Sequence, residues 1–515
     1  MSAFPSTTPP DQAPEQPHDA DSALLAELGY RQELHRGMSG FSNFAVSFSI
    51  ISILSGAITT YYLAMDAGGP IAINIGWPVV GIFVLCVALA MAEICSSYPT
   101  AGGLYFWAGR LAGSHKRVWA WYVGWFNFLG EVAVTAAIDY GAAITWMALL
   151  NLVFGTTVSP VSTFVAFVVI IALHGLLNTF GVNLVRVLSN VSAWWHVAGV
   201  AVIVAILAFV PAQHQSIAWT FTEFRNETGF SNPVYAVLIG LLMAQYTFTG
   251  YDASAHVAEE TRGAATEAPK GIVRSVWVSI IAGWILLIAI TAAIQDYAGE
   301  RGSATGLPPA QIFIDAAGGT LGKFMLLICA IAQFFCGMAS VTANSRMSYA
   351  FSRDGALPGS RIWAKVNPRT GTPTNSIWLC VVCSVVLTLP ALRTAVAFAA
   401  VTSIAVIGLY IAYAVPVFLR RRNPHFRDGP WTLGRWSPLI GWIAVVWVVF
   451  IVVLFMLPAY APGSFGDNTF NYAPIAVVAV LLFATATWYA GGRQHFMKDV
   501  PAGHDTRPAS ELLKD

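Results

Sequence analysis

Apolar runs recur along the chain at lengths that can cross a bilayer, which takes about 20 consecutive residues. They fall near 41–65, 74–97, 118–149, 160–181, 187–211, 233–258, 275–295, 322–350, 374–391, 394–419, 437–458 and 471–491. This pattern predicts an all-α polytopic membrane protein of about 12 transmembrane helices. Two of the runs are interrupted. Span 1, NFAVSFSIISILSGAITTYYLAM, carries Ser55, Gly56 and Ala57 at its middle. Span 6 begins NPVYAVLIGLLMA and continues as QYTFTGYDASAH, with its break at residues 247–250.

Gly costs about 1 kcal/mol in a helix interior, and Ser and Thr offer the backbone other hydrogen bonds. Non-helical backbone at membrane depth is tolerated only where it is buried in protein or lines a cavity. A single break can be explained by close helix packing. Breaks in spans 1 and 6 occupy corresponding positions if spans 1–5 and 6–10 are inverted repeats, which points to a transporter binding site. The freed N–H groups of span 1 can hold a carboxylate and the freed carbonyls of span 6 an ammonium. A zwitterionic amino acid suits that arrangement.

The expected organisation has four segments. Residues 1–38 are a cytoplasmic tail, disordered and then a short amphipathic helix over LLAELGYRQELHRG. Residues 39–419 are a ten-span core, with repeats at about 41–211 and 233–419. Spans 11 and 12 lie within 437–491, and 492–515 are a cytoplasmic tail.

Composition agrees. The 515 residues are 56% hydrophobic and 10% charged, against about 25% charged in a soluble globule. A net charge of +1 gives no electrostatic case for a nucleic-acid partner. Of the 27 Lys and Arg, all but Arg225, Arg301, Lys323 and Arg393 fall on the side of the N terminus. That bias predicts a multi-pass protein of the cell membrane with both termini cytoplasmic. Arg420, Arg421 and Arg422 read as part of this signal rather than as a binding patch. The Pro-rich, acidic N-terminal stretch has no basic region of a signal peptide and reads as disordered. The six cysteines all fall in apolar runs. Cys380 and Cys383 form a C-x-x-C without a second ligand pair, so they read as small core residues. No metal and no cofactor is expected.

Several stretches resemble the amino acid–polyamine–organocation (APC) superfamily, and most of all its amino acid/choline branch of GABA- and choline-permease-like proteins. They include FSNFAVSFSIISILSGAITTYY (41–62), AEICSSYPTAGGLYFWAG (92–109), GWFNFLGEVAVTAAID (124–139), HGLLNTFGVNLVRVLSNVSAWWHVAG (174–199) and QYTFTGYDASAHVAEET (245–261). SRMSYAFSRDGALP (345–358) and GTPTNSIW (371–378) complete the set. The resemblance spans roughly residues 25–495. It implies a LeuT-like five-plus-five inverted repeat with two extra C-terminal helices, and alternating access to one central site. It assigns the substrate carboxylate to the amides around Ser55, Gly56 and Ala57, with Leu54 where relatives have glycine. It assigns the amino group to the carbonyls of Tyr246, Thr247, Phe248, Thr249 and Gly250, with Tyr246 as a gating aromatic.

Ionisable groups inside the membrane are functional candidates because each costs about 2.5–3.5 kcal/mol at a helix centre. Asp252 matches a family carboxylate that links span 6 to its neighbours, so it is read as a gating residue; the other reading is a protonated core Asp. His196 falls where cationic amino acid transporters of the superfamily carry a lysine. It is the candidate for proton coupling, and the other reading is a neutral imidazole bonded to a backbone carbonyl. The resemblance makes Glu93 a tie between span 2 and the cytoplasmic gate, and Gly102 with Gly103 a tight turn. Glu131 and Asp139, eight residues apart in span 3, are expected to point roughly one way. Glu131 would stand near the pocket as an amine partner, and Asp139 near the outer interface. Gln333, Ser340, Thr342 and Asn344 follow helical spacing in span 8, and a sodium site between spans 1 and 8 is a competing reading.

The expected function is secondary active transport of GABA or other small neutral amino acids, coupled to protons, by a monomer or homodimer. Alternatives are a choline or other amine/polyamine permease, or an exchanger without ion coupling. An enzyme is not expected, because no HExxH, GxSxG or clustered His and Asp on one helix is present. No filter loop or charge ring repeats as a channel would require, and the tails are too short for a signalling domain.

Overall fold

A computed structural model describes residues 20–180, 182–393, 396–461 and 470–498. The expected disorder of the N-terminal tail falls mostly on 1–19, outside the described residues, as does 499–515 of the C-terminal tail. Among the described residues, eleven helices are long and apolar enough to cross a membrane. The twelfth expected span, the sixth, is shorter because its break divides it: Pro233–Gly240, Leu242–Thr247 and Ala253–His256. The all-α polytopic architecture read from the apolar pattern is the one observed.

The other spans are span 2 (Gly76–Ser97), span 3 (Lys116–Phe154), span 4 (Pro160–Phe180) and span 5 (Val182–Phe209). Span 7 is Ala264–Ala292, and span 8 is Pro308–Arg353 with a non-helical Gly318 inside. Spans 9 to 12 are Thr374–Thr388, Val396–Arg422, Ser437–Met456 and Ala473–Thr487. Spans 1, 3, 8 and 10 are the most enclosed of the long helices, and span 12 is the most exposed. Spans 3 and 10 approach backbone to backbone, since a Cβ on Gly408 would stand 3.0 Å from the Gly130 Cα. Small residues permit that contact where lipid gives helices no hydrophobic reason to associate.

The N-terminal segment departs from expectation. The helix covers only Ala20–Glu27. It ends at Gly29, whose φ of +92° lets Tyr30 N–H reach back to the Leu25 carbonyl and Gly29 N–H to that of Ala26. This is a Schellman stop. The chain then runs across the end of the bundle as a strap. Tyr30, Leu34 and Met38 are buried. Gln32 donates to the Glu259 carbonyl (2.9 Å), Met38 N–H to that of Glu260 (2.9 Å), and Arg262 N–H to that of Met38 (3.0 Å). The Asp21 carboxylate accepts from Gly263 and Ala264 N–H (2.7 and 3.0 Å). It thereby places a negative charge at the positive end of span 7.

Candidate functional site

Span 1 starts as Gly40–Ile51 and stops at Ser52, whose φ of +33° is a left-handed conformation unusual for a residue with a side chain. Helix resumes at Gly56–Thr59 and then Tyr61–Asp66. Ser55 and Gly56 N–H both turn back to the Ser52 carbonyl (2.8 and 3.0 Å). The N–H groups of Ala57 and Ile58 donate to no backbone carbonyl outside the helix among the described residues. They are the orphan donors of a helix start, here at the middle of the bundle. Leu54 is fully buried, and it fills the space beside Gly199 of span 5.

Span 6 unwinds after Thr247. Gly250 has φ +87° and the helix resumes at Ala253. The two breaks meet. A Cβ on Gly56 would lie 2.9 Å from Thr247 Oγ1 and 3.1 Å from its Cα, and one on Gly250 only 2.1 Å from Ile50 Cγ2. Glycine is required at both positions by this approach, and at Gly250 by its φ as well. The Phe248 carbonyl accepts from Tyr410 of span 10 (2.8 Å) and that of Tyr251 from Ser47 of span 1 (3.0 Å). The structure thus brings Gly56 beside Thr247 and Ile50 beside Gly250.

His196 touches the span 1 break directly. Its Nε2 is 2.6 Å from Ser52 Oγ and its Nδ1 is 2.8 Å from the Ser192 carbonyl. A neutral imidazole satisfies both contacts, with Nδ1–H donating to the carbonyl and Nε2 accepting from the serine.

Asp252 accepts from Tyr413 of span 10 (2.7 Å) and faces His256, Nε2 to Oδ2, at 3.3 Å. Glu131 of span 3 is 3.9 Å from the same Nε2. His256 Nδ1 is 3.0 Å from the Ala101 carbonyl, beside the Gly102–Gly103 turn, where Gly103 has φ +48°. All three ionisable side chains are buried, and their ligand atoms lie within 4.8 Å of one another. Among the described residues this is the group able to hold a cation. Asn127 of span 3 also reaches the His256 ring, Nδ2 to Nε2, at 3.4 Å. His256 lies in the run-out of span 6, and its i, i+4 spacing places it on one face with Asp252, so the expectation that no His and Asp cluster on one helix fails here.

Asp139 is fully buried, with Oδ1 2.8 Å from His174 Nδ1 of span 4, and it does not point the same way as Glu131. Eight residues leave Glu131 and Asp139 about 80° apart around a helix, enough to send them to different neighbours. Glu131 faces span 6, and Asp139 faces spans 4 and 8. The span 8 stripe also turns away from a site with span 1. Ser340 pairs with Thr135 (2.8 Å), Thr342 with Asn178 (2.7 Å), and Asn344 with Thr135 (3.2 Å). Gln333 alone of the four reaches the break, 3.5 Å from the Ser55 carbonyl.

Glu93 joins span 2 to Arg421 (3.3 Å) at the end of span 10 and to Ser437 (2.5 Å) at the start of span 11. Arg420 lies 3.7 Å from the same carboxylate, so part of the RRR run is structural. Further ion pairs close this end: Arg346 with Glu260 (2.7 Å) and Arg353 with Glu259 (3.0 Å). Tyr30 and Tyr105 hydroxyls donate to Asp354 (2.8 and 3.0 Å). Burial pushes Asp354 above the usual carboxylate range, against the pull of Arg353 and the two tyrosines. At the opposite end a cavity of about 420 Å³ opens, lined by Thr59, Tyr62, Tyr140, Thr163, Arg393 and Phe398 among others.

Known proteins are similar to this chain along almost its whole length. The family described as "Amino acid permease" matches residues 38–481. Amino-acid permease BAT1 of Arabidopsis thaliana is 42% identical over 96% of this chain and 97% of its own. A BAT1 homolog of Oryza sativa is 42% identical over 93% and 95%. An uncharacterized amino-acid permease of Schizosaccharomyces pombe is 32% identical over 93% and 89%. The chain therefore belongs to the amino acid permease family of the APC superfamily.

Proposed function

We propose that this permease moves GABA or another small neutral amino acid by alternating access, driven by protons, across the cell membrane. The observation that carries the reading is the meeting of two interrupted helices at Gly56–Thr247 and Ile50–Gly250. The span 1 side offers the amides of Ala57 and Ile58 to a carboxylate, with Ser55 and Gly56 shaping the turn. The span 6 side offers carbonyls from Tyr246 to Gly250 to an ammonium, of which those of Tyr246, Phe248 and Gly250 already accept from Thr249, Tyr410 and Ala253. Such groups recognise the parts that all amino acids share, and Tyr246 covers them.

His196 links the state of its ring to the span 1 turn, because a proton on Nε2 reverses its hydrogen bond with Ser52. Asp252, Glu131 and His256 tie span 6 to spans 3 and 10 and to the 2–3 turn. They must rearrange when span 6 moves. Glu93 and its arginines hold the end that carries the N terminus, which the charge bias assigns to the cytoplasm. The chain carries its substrate unchanged and is read as no enzyme. It is read as needing no cofactor, and as a monomer or homodimer.

The test is uptake into proteoliposomes of labelled GABA, alanine, glutamate, lysine and choline, with and without an inward proton gradient. Saturable, gradient-stimulated uptake of an amino acid is the expected result. Choline uptake alone would replace this reading with an amine permease. Exchange without stimulation would remove the proton.

A further inference from the structure

The three membrane-embedded histidines treated above differ in what surrounds them. His196 has a partner for each ring nitrogen. His256 has one nitrogen fixed on a carbonyl. His174 stands 2.8 Å from Asp139, but the contact is misaligned for a hydrogen bond. Asp139 Oδ1 and Oδ2 and His174 Nδ1 and Nε2 have no hydrogen-bond partner among the described residues. Both side chains are fully buried. They rest on span 8 at Gly337, where a Cβ would stand 2.0 Å from Asp139 Oδ1 and 2.6 Å from His174 Cε1. The His174 ring also packs edge-on against Phe334 (4.4 Å).

We propose that Asp139 and His174 together hold the coupled proton. The inference rests on the transport reading and adds the place where the driving ion sits. A bare carboxylate beside a neutral imidazole, with no other polar partner, is an expensive buried charge. One added proton, on either residue, leaves the pair neutral. The cavity reaches the residue next to the pair. Tyr140, the next residue, lines the 420 Å³ cavity, and Gly141 packs on Thr59 of the same lining. The titratable groups toward it are Tyr246 of span 6 and Cys336 of span 8, and no Lys or Arg pairs with it among the described residues. A proton arriving from cavity water neutralises the pair. When the other end opens, water there takes the proton back.

The full-length permease in proteoliposomes tests this through Asp139→Asn and His174→Gln, each measured for gradient-driven accumulation and for substrate counterflow at equal pH. Accumulation is expected to fall at least tenfold in both, with counterflow still measurable and its pH dependence flattened. Counterflow shows that the variants fold and bind. If Asp139→Asn does not fold, His174→Gln alone carries the test. Accumulation unchanged in His174→Gln overturns the proposal. So does loss of accumulation in His196→Gln or His256→Gln while both pair variants keep it. A wild type that moves amino acids with no response to pH overturns the proton site and leaves the transport reading intact. A wild type that moves none of them overturns both.

Discussion

At the end of the bundle that carries the N terminus, charges are paired and out of water. Arg346 and Glu260 are each about 95% shielded, Glu93 is shared among Arg420, Arg421 and Ser437, and a strap of chain covers the surface. At the opposite end the main ion pair is Asp66 with Arg301, which is partly exposed, and a cavity reaches in beside Tyr140. The first end can open only by wetting several buried ion pairs and peeling off the strap, whereas the second is already hollow. The described state is therefore sealed at the first end, with a cavity at the second. Its stability is concentrated where it is closed.

Four substitutions sharpen or break that contrast. Glu260→Ala leaves Arg346 buried without its partner, a loss of about 3–5 kcal/mol. Thermal unfolding of the purified protein should register it as the largest drop of the set, and no drop would mean that this end is not what holds the state closed. Tyr30→Phe removes one of two hydroxyls on Asp354 and with it one of the strap's anchors, about 1.5–3 kcal/mol. Limited proteolysis between residues 28 and 38 should become faster.

Glu300, in the short helix Tyr297–Arg301 at the cavity end, changes with pH. Burial, helped by Asp315 and Asp296 and opposed by the Gln295 and Asp296 amides, raises its carboxyl from the ordinary 4.5 to about 7. The folded chain therefore holds this proton more tightly than the unfolded one. The stability it lends is full below pH 4.5 and is lost as pH rises through 7. Glu300→Gln should melt like the wild type at pH 4 and above it at pH 8; a constant difference would exclude the carboxyl as the cause. Arg301→Ala, which cuts the partly exposed pair with Asp66, should cost only about 0–1 kcal/mol. A larger loss would make the two ends alike.

Much of this was legible in the chain. The spans came from their apolar length, and the two breaks from Ser, Gly and Thr set where a membrane helix needs leucine. Their meeting at Gly56 and Thr247 follows from that placement. The strap was misread because the apolar residues after Gly29 look like a helix face, while the glycine turns the chain out of the helix. Asp139 with His174 was out of reach for another reason. A helix repeat tells which residues share a face but not which span that face meets, and these two belong to different spans 35 positions apart. Nor does spacing show that Gly337 leaves room for them.

Gly56 has a consequence for engineering. It sets the clearance between two moving parts, since a Cβ at 56 would stand 2.9 Å from Thr247 Oγ1 and 3.1 Å from its Cα. Alanine there acts as a shim: it presses the broken helices apart by a few tenths of an ångström whether or not cargo is present. A protein fitted with it would have its empty site wedged ajar, a means of trapping for imaging a conformation that the native chain passes through only briefly.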